Sequence, residues 1–179
     1  VSAAPYIWAI YKRKLKRPVL STWGIWLAIG GILLLASIES GSRLNTTLLP
    51  VILGFINPLI IFILALRYGE RTWSNLDTWC TAICVMTLIL WKVQDDPVIG
   101  LFGGIVVDSV AAIPIIHKCW TDPKDEPWAP WFLFGVGSSI NLLAVEAWEI
   151  KFVLYPLYMT IMSLIISVPV MYCHFKKTR

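Results

Sequence analysis

Asp108 stands inside an otherwise apolar run, Pro97–Ile116, and is the residue whose type and position most directly suggest chemistry. If that run is a helix crossing a bilayer, the acid lies about midway along it. A carboxyl at that depth costs about 2.5–3.5 kcal/mol on insertion scales, so it must face the protein interior and hold a partner. No Lys or Arg lies at matching depth in the other apolar runs. The partners left are hydroxyls, the amides of Asn57 or Asn141, a carbonyl freed by proline, water or a ligand. Without a cation nearby, desolvation favours the neutral acid, which can donate a hydrogen bond. Two roles fit Asp108: a substrate or proton site, and a protonated acid that only bonds a neighbouring helix. Asn57, in Gly54-Phe-Ile-Asn57-Pro58, and Ser138 with Asn141, in Gly135-Val-Gly-Ser-Ser-Ile-Asn141, are the other candidate binding residues. The same choice applies to them, because an amide between membrane helices can also serve as a packing hydrogen bond of about 0.6–2 kcal/mol.

Other chemistries lack their residues. Cys80 and Cys84 share a helical face, but no His or acid at ligand spacing joins them, so no metal is expected. Cys119 and Cys173 imply no disulfide framework. His117 and His174 are isolated, and no cofactor is expected. Ser, His and acidic residues never fall at the spacing of a nucleophile with its base, so an enzyme is not expected either.

The elements that must position these groups are apolar throughout. Hydrophobic residues make up 58% of 179 and charged residues 15%, which excludes an ordinary soluble domain. The uncharged runs are Pro18–Ile38, Leu44–Leu66, Thr78–Trp91, Pro97–Ile116 interrupted by Asp108, Pro127–Val145 and Phe152–Cys173. A bilayer core takes about 20 helical residues, so the sequence predicts an all-α, multi-pass integral membrane protein. Val1–Tyr11 is too short to span and is followed, not preceded, by basic residues, which argues against a signal peptide. It reads as the inner half of a first helix whose outer half is truncated. Seven spans then result.

Lys and Arg divide unevenly between the two sides. Lys12, Arg13, Lys14, Lys16, Arg17, Arg67, Arg71, Lys118, Lys124, Lys176, Lys177 and Arg179 fall on one, and only Arg43, Lys92 and Lys151 on the other. By the positive-inside rule the Lys12–Arg17 loop and the C-terminus are cytoplasmic. The net charge of +4 is then a topological signal, and no nucleic-acid partner is expected.

The chain also looks duplicated. An offset of 109 residues places Pro5 on Pro114, Pro18 on Pro127 and Leu33-Leu34 on Leu142-Leu143. Pro5, Pro58 and Pro114 interrupt helical hydrogen bonding and are candidate hinges. Gly30-Gly31 would allow close helix approach, and Gly100, Gly104, Asp108 and Ala112 form a small-residue stripe expected to face protein. Trp23 and Trp26, near the start of their run, read as an interfacial belt.

Pro5-Tyr-Ile-Trp-Ala-Ile-Tyr-Lys-Arg-Lys14 resembles the end of the first helix in SWEET and PQ-loop transporters, and Pro114-Ile-Ile-His-Lys118 repeats the pattern. Pro5 and Pro114 are followed by Tyr6 and Ile115, so the Pro-Gln pair itself is absent. PnuC vitamin transporters share the architecture and carry a Trp-x-x-Trp motif, a spacing also found in Trp23-Gly-Ile-Trp26 and Trp128-Ala-Pro-Trp131. The resemblance implies two pseudo-repeated three-helix bundles, 1–67 and 97–175, joined by a linker helix at 75–92. It also implies a small polar solute, sugar-like or vitamin-like, moved by alternating access at a site between the bundles. The competing reading is a non-transporting accessory subunit of a larger membrane complex. Its partners would be other membrane subunits or copies of itself, in addition to lipid.

Overall fold

A computed structural model describes residues 3–12, 14–39, 48–69, 73–92, 97–145 and 148–176. Arg13, Arg43, Arg71, Lys177 and Arg179, which entered the charge count, and Leu44–Thr47 of the second apolar run lie outside them.

Among the described residues the chain is all helical. The α-helices are α1 (Ala3–Tyr11), α2 (Leu20–Glu39), α3 (Leu48–Tyr68), α4 (Asn75–Lys92), α5 (Pro97–Thr121), α6 (Trp128–Leu143) and α7 (Ile150–Lys176), with a 3-10 turn at Pro123–Asp125. Local chemistry sets several of these ends. Pro97 opens α5, where its missing N–H costs nothing. Ahead of α4, the Asp77 backbone N–H donates to Ser74 Oγ and the Ser74 N–H donates to the Asp77 carboxylate at 2.8 Å, a reciprocal cap. Ser21 of α2 also donates to Asp77, so the capping acid ties two helices together.

Phe102–Thr121 and Val153–Lys176 are long and apolar enough to cross a membrane, and Leu20–Leu35 and Ile52–Tyr68 are shorter apolar helices. The outward faces are apolar as well: Leu35, Met86, Ile89, Leu143 and Val168 are all more than half exposed.

α3 packs against both α1 and α2, and α7 packs against both α5 and α6. α4 docks on α2 and α5, where Ile25, Cys84, Val107 and Ala111 make a small buried cluster. A larger core joins Tyr6, Ile10, Leu15, Ile61, Ile115 and Val170.

Two of these helix pairs approach where a side chain is missing. A Cβ on Gly30 would stand 2.8 Å from the Gly54 carbonyl oxygen and 3.0 Å from Phe55 Cα, so α2 rests directly on the α3 backbone. Pro58 leaves that same Gly54 carbonyl without its helical donor. At Gly135 a Cβ would stand 3.2 Å from Ser163 Cβ, so α6 meets α7 in the same manner. The close approach expected of Gly30 is therefore present. Gly104 has open space around it, while Ala112 of the same stripe is buried. Gly30→Val should destabilise the protein by about 1–3 kcal/mol through overpacking against backbone that cannot yield. Gly137→Ala, with nothing near its Cβ position, should leave stability unchanged or slightly raised. Thermal unfolding of the detergent-purified variants measures both.

Proline-freed carbonyls find partners elsewhere. Pro169 deprives the Ile165 carbonyl of its helical donor, and Trp120 Nε1 of α5 donates to it at 3.2 Å. Thr22 Oγ1, fully buried, donates to the Ala111 carbonyl at 2.7 Å, one residue beyond the carbonyl that Pro114 frees. Pro5 lies in the first turn of α1 as described.

Candidate functional site

Four contacts gather the same end of every helix. Arg17, ahead of α2, pairs with Asp122 after α5, and Gly69 after α3 abuts Pro18. Ser21 reaches Asp77 at the start of α4, and Trp128 at the start of α6 packs on His174 near the end of α7. Adjacent helices therefore run up and down, and the loop before α2 meets the loop before α6.

That meeting is built from charge. The backbone N–H groups of Lys16 and Arg17 donate to the two oxygens of Asp125 at 2.9 and 3.0 Å. Lys118 Nζ lies 3.2 Å from the Asp125 carboxylate and 2.7 Å from Glu126, and also donates to the Arg17 and Asp125 carbonyls. Burial separates the strong pairs from the weak. Arg17 and Asp122 side chains are 43% and 39% exposed, in the range where an ion pair contributes at most about 1 kcal/mol. Lys118 is 12% exposed and Glu126 fully buried, so this pair is sensitive to losing a partner. The second Glu126 oxygen accepts from Trp131 Nε1 at 3.1 Å.

Trp131 leads from this charged cluster into a cavity of about 560 Å³, within the size range of small-molecule sites. Its floor is aromatic. Tyr6 lies 4.9 Å from Trp23 between ring centroids, Trp23 lies 5.0 Å from Trp26, and Trp131 edges Tyr6 at 5.9 Å. The Trp23 Nε1–H donates to the Tyr6 hydroxyl at 3.2 Å. Above the floor, α2 contributes Gly30 and Leu33, α3 Gly54 and Asn57, α5 Asp108 and Ala112, α6 Phe134, and α7 Tyr155 and Ser163. Six helices supply the walls, and among the described residues none from α4 does.

Asp108 is reached by a directed chain of hydroxyls. Ser109 Oγ donates to the Tyr158 hydroxyl at 3.1 Å, and that hydroxyl donates to Asp108 Oδ2 at 2.7 Å. The partner is thus a hydroxyl from α7, and the carboxyl acts as acceptor. Trp26 Nε1 is buried and closes no hydrogen bond of ordinary geometry, yet it lies near enough to interact with the Asp108 carboxyl. Among the described residues no Lys, Arg or His lines the cavity.

Of the candidate residues, Asp108 and Asn57 come together in the cavity, with Pro58 beside Asn57. Asn141 is exposed and Ser138 half-buried on α6, and neither lines it. Pro114 faces a smaller hollow of about 300 Å³ beside Arg17, His117 and Lys118. Trp23 is only 7% exposed and Trp26 lines the cavity, which corrects the belt reading: helix rotation turns both inward. Tyr6, Trp131, Tyr155 and Tyr158 were not singled out from sequence, because an aromatic residue in an apolar helix looks alike whether it meets lipid or a cavity. Among the described residues no cluster of His, Cys, Asp and Glu could hold a metal ion. Compared with protein families, curated proteins and solved structures, the chain matches none.

Proposed function

We propose that this chain is a multi-pass membrane carrier that binds a small solute in the central cavity and releases it by alternating access. The observation that carries the reading is the cavity itself. Helices from both halves wall it, Asp108 and Asn57 stand in it, and an ionic cluster joins the two halves beneath its floor. A site at the seam of two helical bundles is where rocking of one against the other changes access.

The two-bundle architecture is part of the proposal. In each half the third helix packs between the first and second, and each second helix meets the third at a glycine. The contacting third-helix residues, Gly54 and Ser163, stand 109 positions apart, as the duplicated prolines do. The outward apolar faces support lipid as their surroundings. The end of the chain that holds the ionic cluster also carries Lys12, Lys14, Lys16, Arg67 and Lys124, and is assigned to the cytoplasm. The described conformation is then closed on the cytoplasmic side by the Tyr6–Trp23–Trp131 floor and the Lys118 cluster.

The test is access from each side. A cysteine placed at Leu33, on the cavity wall away from the ionic cluster, should react with a membrane-impermeant thiol reagent added outside and not with reagent added from the cytoplasm. Reaction from neither side would exclude an aqueous path and favour an accessory subunit with a sealed hollow.

A further inference from the structure

Resting on the carrier reading, we propose that the solute is a small organic cation, a protonated or quaternary amine, held by Asp108 and the aromatic floor. Among the described residues the lining has one carboxyl and no basic side chain, so a cation is the charge type it can neutralise. An anion would meet Asp108 with nothing to balance it. A polyhydroxylated neutral solute needs many convergent donors and acceptors, and the walls offer few: Asn57, Tyr155, Ser163 and the Trp26 Nε1–H stand among mainly apolar side chains. Tyr6, Trp23, Trp26 and Trp131 line the cavity as a packed aromatic group with neighbouring ring centroids 4.9, 5.0 and 6.1 Å apart, and a cation resting on such a group gains from the aromatic quadrupoles. Asp108 is also prepared for the task. The Ser109–Tyr158 chain fixes one carboxyl oxygen from behind, because Tyr158 does not line the cavity, and it donates toward the acid as an ionised acceptor requires. A carboxylate anchored on one oxygen keeps the other for a ligand.

The probes are choline, its uncharged isostere 3,3-dimethylbutan-1-ol and D-glucose, titrated into the detergent-purified chain while the fluorescence of the floor tryptophans is followed. Choline should give a saturable change. The isostere, equal in shape and lacking the charge, should bind at least tenfold more weakly, a comparison made on the unaltered protein and so independent of any variant's folding. Asp108→Asn should weaken choline at least tenfold and leave the isostere unchanged. Equal binding of choline and its isostere, or full choline affinity in Asp108→Asn, would overturn the assignment. Saturable glucose binding without choline binding would also overturn it and leave the carrier reading standing. Choline binding with the Leu33 cysteine inaccessible from either side would sustain the cation assignment and remove the carrier.

Discussion

Lys118→Met should destabilise the protein by about 3–5 kcal/mol, because it leaves the fully buried Glu126 carboxylate without its cation. The same change strips a donor from the Arg17 carbonyl and from Asp125, so the loops before α2 and before α6 lose their shared anchor. The effect is a penalty of an uncompensated charge, and this makes a rescue diagnostic. Adding Glu126→Gln removes the charge while its amide oxygen still accepts from Trp131, so the double variant should recover most of the loss. Unfolding of the two single variants and the double variant closes the cycle. A double variant no better than Lys118→Met would mean that Lys118 acts through Asp125 and the Arg17 carbonyl and not through Glu126.

Gly54→Phe should leave the fold intact and abolish solute binding, a drop of at least tenfold in affinity or uptake. A Cβ at Gly54 meets nothing within 4 Å, and the position lines the cavity, so the new ring has room only in the solute's place. Replacing a mid-helix glycine with phenylalanine also favours the helix by a few tenths of a kcal/mol, up to about 0.5, so unfolding temperature should hold or rise slightly. Stability kept and binding lost is the signature of a plugged site. Lost stability would place Gly54 in a packed interface, as Gly30 opposite it is.

Much of this was legible in the sequence where the signal is one-dimensional. The apolar runs, bounded by proline and charge, gave helices close to their observed limits, since length and polarity alone decide what can form a long apolar helix. Asp108 stood out because an acid in such a run has to be turned inward, and Asn57 arrived beside it in the cavity. What failed to show depends on rotation about a helix axis or on which loops meet. Trp23 and Trp26 could face lipid or protein with the same residues around them. Asn141 carries the same polarity as Asn57, yet α6 turns it away from the cavity. Tyr158 acquires meaning only because α7 brings it beside Asp108. Lys118, Asp125 and Glu126 read as loop polarity until the folded chain sets the loop before α2 against them.

Thiol access to the cavity, with and without the ionic cluster, tests the central claim most directly. Leu33→Cys puts an accessible thiol on the cavity wall, on the far side of the aromatic floor from the cluster. A two-bundle carrier predicts labelling by an impermeant reagent from outside only, and labelling from the cytoplasm as well once Asp125→Ala loosens the contact between the loops. Labelling from neither side, before and after that change, would contradict it.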